Sequence, residues 1–186
     1  MQLSDLEKID TKKMYKEYDR WPEIAIESFE KKFEKFDTKD IDHIVFAGMG
    51  GSGTIGDTIS AILSKKDIHV SIVKGYLLPK TVDSKTLVIV TSVSGNTAES
   101  LAVMENVKKT SAKSVGFSSG GKLESFCKNN NMFFQRIPMI HSPRVSYTNF
   151  LFSILNILEP ILPIHKNDIH ESLTALKKNK RYYFFR

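Results

Sequence analysis

Ile44-Val45-Phe46-Ala47-Gly48-Met49-Gly50-Gly51-Ser52-Gly53 decides the fold, and Leu87-Val88-Ile89-Val90-Thr91-Ser92-Val93-Ser94-Gly95-Asn96-Thr97 repeats its logic further along the chain. Each is a short apolar run that ends in glycine and small hydroxyl residues and then opens a helical pattern. A run with no polar alternation reads as a strand buried on both faces, and one that feeds a helix belongs in a parallel sheet. The first N–H groups of a helix have no partner within it and attract anions, and serine and threonine hydroxyls add donors. Two such turns on one open sheet point to a phosphorylated small molecule.

Around these turns the pattern alternates strand and helix. Strands are expected near 43–47, 69–73, 86–91, 113–117 and 132–136, and helices near 53–65, 97–109 and 120–129. That alternation predicts a doubly wound α/β domain, a five-stranded parallel sheet with helices on both faces. Before it, Trp21-Pro22 starts a helix through about Phe36, with Ile24, Ile26, Phe29, Phe33 and Phe36 on one face. After it, a helix is expected from Pro143 to about Glu159, with Ser142 as N-cap and Pro143 at N1. Being apolar over much of its circumference, that helix is buried under the sheet or in a subunit interface. An amphipathic segment covers Ile169 to Lys178. The expected organisation is a polar segment over 1–20, one domain over 21–178, and a basic and aromatic tail over 179–186.

With 186 residues, 41% hydrophobic and 26% charged, the chain can bury one sizeable core. The net charge of +6 is concentrated at one end: Lys177, Lys178, Lys180, Arg181 and Arg186 crowd the last ten positions, and the other basic residues nearly balance the 21 acids. A basic tail on a near-neutral body argues against nucleic acid as the partner. The single cysteine, Cys127, excludes an intramolecular disulfide and offers no zinc cluster; beside Phe126 it reads as an inert core thiol. The opening Met1–Glu7 lacks the regions of a signal peptide, and Phe150–Leu158, interrupted by Ser153 and Asn156, is too short to span a bilayer. A cytoplasmic protein with no membrane partner is expected.

Each motif has a plain structural reading beside the functional one. Gly48-x-Gly50-x-x-Gly53 fits a dinucleotide fingerprint, but the acid expected about 20 residues later is replaced by Lys74-Gly75, which disfavours NAD and leaves NADP as a lesser reading. Asn96 and Glu99 stand at capping-box spacing, so a helix starts there without any ligand. Capping needs one hydroxyl or amide, however, and Ser92, Ser94 and Thr97 crowd around Gly95. Arg144, at N2 of the expected 143–159 helix, faces the positive end of its dipole, a conflict that a bound anion or carboxylate relieves. His141 is a polar residue at a chain reversal. Asp57 and Glu99 read as acids that stabilise helix dipoles.

Taken in order, Gly48-Met49-Gly50-Gly51-Ser52-Gly53, Ser92-x-Ser94-Gly95-Asn96-Thr97-x-Glu99 and Pro143-Arg144 resemble the sugar isomerase (SIS) domain superfamily. They are most similar to the first half of the archaeal-type bifunctional phosphoglucose/phosphomannose isomerases. The resemblance implies a flavodoxin-like strand order and interconversion of glucose or mannose 6-phosphate with fructose 6-phosphate through an ene-diolate, without metal or nucleotide cofactor. It implies phosphate binding by Ser92, Ser94 and Thr97, approach of the sugar to Gly50, Gly51 and Ser52, and charge stabilisation by Arg144. The family's glutamate base, ring-opening histidine and lysine lie in a second SIS domain, to which nothing here corresponds. The expected partners are a hexose 6-phosphate and either a second copy of the chain or a separately encoded second SIS domain. A non-catalytic sugar-phosphate sensor or fragment is the alternative.

Overall fold

The computed structural model of the chain describes residues 3–179. In chain order the elements are α1 (Leu3–Ile9), α2 (Met14–Asp19), α3 (Trp21–Glu30), β1 (His43–Ala47), α4 (Gly51–Leu63), β2 (His69–Val73), β3 (Thr86–Thr91), α5 (Ala98–Val107), β4 (Lys113–Ser118), α6 (Gly121–Asn129), β5 (Phe133–Arg136), α7 (Tyr147–Ile157) and α8 (Lys166–Asn179). The five strands form one sheet in the order β2-β1-β3-β4-β5, and all four pairings are parallel. This is the doubly wound sheet that the apolar runs predict.

Strand periodicity divides the core in two. Ile44, Phe46, Leu87, Ile89, Val115 and Phe117 face one way and pack with residues of α3, α4, α7 and α8. Val45, Ala47, Val73, Val88 and Val90 face the other way, onto Val103, Met104 and Val107 of α5 and Leu123 and Cys127 of α6. Burial pushes the Cys127 thiol up to about 11, so it stays protonated and inert. Between β2 and β3 the chain crosses β1 without a helix, and Leu78 and Val82 of that crossover close the second core.

Three local expectations are corrected. The helix begun by Trp21-Pro22 stops at Glu30 and not near Phe36, because Lys31 is extended (φ −65°, ψ 139°). The side-chain amide of Asn156 donates to the Phe29 carbonyl, which a longer helix would bond to the Phe33 N–H. The extended path still buries the aromatics, with the Phe36 ring 5.2 Å from that of Phe133. The short helices α1 and α2 lie within the segment expected to be polar. The expected 143–159 helix begins at Tyr147, and residues 143–146 form a turn. The apolar circumference of α7 is covered by α3, α4, α8 and the sheet of the same chain, which removes it as a reason for self-association. The aromatic tail falls mainly on 180–186, outside the described residues. Among the described residues no helix is long and apolar enough to cross a membrane.

The amino-terminal edge of the sheet holds a polar chain that runs from buried His43 and Thr86 out to exposed His69. His43 is 5% exposed; its Nδ1 lies 3.2 Å from Thr86 Oγ1 and its Nε2 3.0 Å from Ser71 Oγ. Ser71 Oγ also lies 3.3 Å from His69 Nε2. Burial, and then the neighbouring His69, hold the His43 pKa below its ordinary value, against the opposing pull of Asp83 and Asp42. The fold therefore favours the neutral imidazole, and below about pH 6.5 the unfolded chain binds more protons than the native one. Stability is fully present above that pH and falls as the pH drops through the lowered native value. Thermal denaturation between pH 8 and pH 5 should show a smaller loss of Tm in His43→Gln than in the unsubstituted protein.

Candidate functional site

The strand order reverses direction between β1 and β3, and in open parallel sheets ligands bind in the crevice outside the carboxyl ends at such a point. Both motif turns lie there. Ala47 pairs with Val90, so Gly48 leaves the sheet beside Thr91, the last residue of β3, and a Cβ on Gly48 would stand 3.0 Å from the Thr91 carbonyl oxygen. The Gly48–Gly53 turn folds tightly onto its helix: Met49 O accepts the Ser52 N–H at 3.1 Å. A Cβ on Gly53 would meet the Gly48 carbonyl oxygen at 2.7 Å. Gly50 and Gly51 differ, being exposed with nothing within 4 Å of a Cβ. Gly51 has no positive φ either, so the fold places no demand on a glycine there. Ser52 is half-buried beside them in the first turn of α4.

The turn after β3 is organised by its buried serine. Ser92 is 2% exposed; its hydroxyl accepts the Gly95 N–H at 3.1 Å and lies 2.8 Å from Thr97 Oγ1. With Ser92 donating, the Thr97 O–H is left to donate outward. Ser94 is exposed, with Oγ accepting the Asn96 N–H at 3.3 Å. Thr97, and not Asn96, is the N-cap of α5, and its side chain makes no capping bond. Asn96 reaches sideways instead, where its Oδ1 accepts the Lys122 N–H of α6 at 3.1 Å. The capping-box reading of Asn96 and Glu99 is thereby corrected, although Glu99 does lie in the first turn of α5.

A third turn supports the second, and the sequence reading did not single it out. Ser119 donates from its N–H and Oγ to the Val93 carbonyl at 3.0 and 2.7 Å, and Leu123 N–H donates to Gly95 O at 2.9 Å. Gly95 has φ 71°, and a Cβ there would collide with the Gly120 carbonyl oxygen. The run Ser118-Ser119-Gly120-Gly121 was its visible signal. The start of α6 is thus sealed by Asn96 and Gly95, whereas α4 and α5 begin with no side-chain cap. The first N–H groups of α5, together with the Ser94 and Thr97 hydroxyls, form an edge suited to an anion; at the start of α4 the Ser52 and Gly53 N–H groups are taken by the Met49 carbonyl.

Lys74, Arg136 and Arg144 lie at or beyond the carboxyl ends of β2 and β5. Lys74, after β2, pairs with Asp57 at 2.8 Å. Because α4 starts at Gly51, Asp57 sits in its second turn and not its first; it serves as the partner of Lys74 and leaves that lysine poorly placed for a nucleotide phosphate. Arg136, at the end of β5, pairs with Glu124 at 2.5 Å, whose carboxyl is held below the usual carboxylate range by Lys128 and then by Arg136. Arg144 is exposed in the turn before α7, and among the described residues its guanidinium has no partner. It is not at N2 of a helix, so the dipole conflict expected from the sequence does not arise. The structure puts Gly50, Gly51 and Ser52 at the end of β1 and Ser92, Ser94 and Thr97 at the end of the adjacent β3, and Arg144 is bonded to neither turn. His141 is exposed with φ 55°, its Nε2 3.2 Å from Lys12 O. No group of three or more His, Cys, Asp or Glu among the described residues is placed to hold a metal ion.

A family model described as the SIS domain matches residues 39–153. The chain is 34% identical over 152 residues to a bifunctional phosphoglucose/phosphomannose isomerase of Caldicellulosiruptor bescii, covering 78% of this chain and 44% of that protein. It is 34% identical over 161 residues to the protein of the same description from Aquifex aeolicus, covering 83% and 49%. The chain thus spans about half the length of the curated relatives it matches. Among solved structures, the C-terminal domain of glucosamine-fructose-6-phosphate aminotransferase from Francisella tularensis superposes with a TM-score of 0.64 at 19% identity, covering 90% of this chain and 53% of that one. That likeness is one of fold.

Two glycines separate what the fold needs from what the crevice needs. Gly95→Ala should lose roughly 2 kcal/mol or more in urea denaturation, since both the positive φ and the Gly120 carbonyl oppose a side chain. Gly51→Ala should be neutral or stabilising by up to about 1 kcal/mol, the helix-propensity gain of alanine.

Proposed function

The chain belongs to the SIS domain family, and from that premise we propose that it is the sugar-phosphate-binding half of a phosphoglucose/phosphomannose isomerase-type enzyme. The observation that carries this reading is the hydroxyl-rich turn after β3. Its helix starts without a side-chain cap, so Ser94, Thr97 and the first N–H groups of α5 are left for a ligand. In this reading the phosphate of a hexose 6-phosphate sits on them, with Ser92 polarising Thr97 from behind. The sugar chain lies along Gly50, Gly51 and Ser52, where a side chain at Gly51 would intrude.

Aldose–ketose isomerisation is an internal redox step. A base removes the proton from C2, an ene-diolate forms, a proton is delivered to C1 and the O2 proton passes to O1; C1 is reduced as C2 is oxidised, so no external oxidant is needed. The phosphate anchor supplies positioning, and a cation near the reacting carbons stabilises the ene-diolate. Arg144, which has no partner among the described residues, is assigned that second role. The base is assigned to a second SIS domain facing the crevice, in keeping with a chain that spans about half of its curated relatives. Glucose and mannose 6-phosphate are the aldoses and fructose 6-phosphate the shared ketose. The step is placed in the cytoplasm.

Fructose 6-phosphate should raise the Tm and fructose should not. The double substitution Ser94→Ala with Thr97→Ala should weaken binding by about tenfold or more per lost bond to the anion, with the fold retained. Gly51→Ala should weaken it at unchanged stability. Equal responses to fructose and its phosphate would reject the proposal.

A further inference from the structure

The turn that carries Arg144 is held by residues outside the span matched to the SIS domain. Trp21, the first residue of α3, donates its indole N–H to the Val145 carbonyl at 3.0 Å. Its ring meets Tyr18 edge-on, with centroids 4.9 Å apart, and lies 6.3 Å from the ring of Tyr147. On the near side of the turn, the Lys12 carbonyl lies 3.2 Å from His141 Nε2. On the far side, the Tyr147 hydroxyl lies 2.8 Å from Thr58 Oγ1, which ties the turn to α4, the helix that starts at the Gly50-Gly51-Ser52 edge. Ser146, fully buried, accepts the Ile140 N–H on its Oγ at 2.8 Å. The backbone on both sides of Arg144 is therefore fixed, and its guanidinium is exposed.

We infer that Trp21 is a positioning residue for Arg144: its indole N–H fixes the Val145 carbonyl, and with it the direction in which the Arg144 side chain leaves the backbone. Trp21 touches no substrate and acts through Arg144. Fixing the backbone in advance removes ordering that binding would otherwise require, which matters most for a long, flexible cation. The inference rests on the reading of Arg144 as the residue that meets a hexose phosphate, and it extends the working site to α2 and α3.

The test uses the full chain and has one arm without ligand. Trypsin can cut after Arg144 only when Val145 and Ser146, both buried, open locally. Trp21→Phe should speed the Arg144–Val145 cut about fivefold, the effect of one lost hydrogen bond, and leave other cuts unchanged. Replacing Trp21 by benzothienylalanine, which keeps the ring shape and loses only the N–H, should do the same even if the phenylalanine variant folds poorly. In the second arm, either replacement should weaken fructose 6-phosphate about fivefold when residue 144 is Arg and have no effect in an Arg144→Met background. A cut no faster at Arg144, faster cuts at all sites alike, or an equal loss of affinity in both backgrounds overturns the inference. Failure of the unsubstituted chain to bind fructose 6-phosphate rejects the hexose-phosphate reading, and the tryptic arm alone then decides whether Trp21 holds the turn.

Discussion

The site depends on a contact between two backbones. Gly95 of the turn after β3 lies against the Gly120 carbonyl of the turn after β4, and there is no room for a Cβ between them. Adjacent parallel strands set the two turns side by side: Thr91 pairs with Phe117, and the Ser92 N–H donates to the Phe117 carbonyl at 3.0 Å. From that contact follow the hydrogen bonds of Ser119 to Val93 and of Leu123 to Gly95. The sealing of α6 by Asn96 follows as well. The N-cap of α5 is Thr97, and its hydroxyl lies against that of the buried Ser92 and makes no capping bond. The open start of α5 thus follows from the way the turn packs on itself and on the turn after β4.

A second constraint sets where α7 begins, and so where Arg144 stands. The α3–α7 contact contains a buried polar seam. Ser28 donates to the Ile24 carbonyl at 2.6 Å and lies 2.8 Å from Asn149 Oδ1, while Asn149 Nδ2 donates to the Pro138 carbonyl at 2.7 Å. Buried amides are costly unless satisfied, so these bonds admit one register of α7 against α3. With α7 fixed, the chain between β5 and Tyr147 has a set length to close. It closes as a turn in which the Ser146 hydroxyl serves Ile140 and Trp21 serves Val145.

The strands were legible nearly to the residue because both faces of the sheet are buried. Ile44-Val45-Phe46-Ala47 and Leu87-Val88-Ile89-Val90 have no polar alternation that would allow another reading. That the two motif turns lie side by side was legible because each is contiguous in sequence and strand order alone brings them together. Helix ends were misread wherever a distant side chain decides them. Asn156 takes the Phe29 carbonyl and ends α3, and Trp21 takes the Val145 carbonyl ahead of α7. The pattern Ser142-Pro143 carries strong local start signals, and tertiary hydrogen bonds override them. Asn96 and Glu99 show the same effect, since no window of sequence shows that Asn96 will meet Lys122.

Holding the phosphate and handling the carbon-bound proton place different demands on a protein, which is why they can reside in different halves. A phosphate dianion is recognised by N–H groups and hydroxyls that change little during the reaction, and a rigid turn on a buried sheet provides them at fixed positions. A general base must meet C2 and then deliver to C1, with its pKa set near the working pH, and this is easier for a side chain facing the substrate from across a cleft. In the proposed reading the first demand falls to Ser94, Thr97 and the uncapped start of α5, and the anchor's binding energy can be used at carbons it never touches. The exposed Arg144, fixed in its backbone and unpaired in its guanidinium among the described residues, stands between the two tasks. In the proposed reading it is held by this chain, and the charge it would stabilise appears only when a base on the second SIS domain acts.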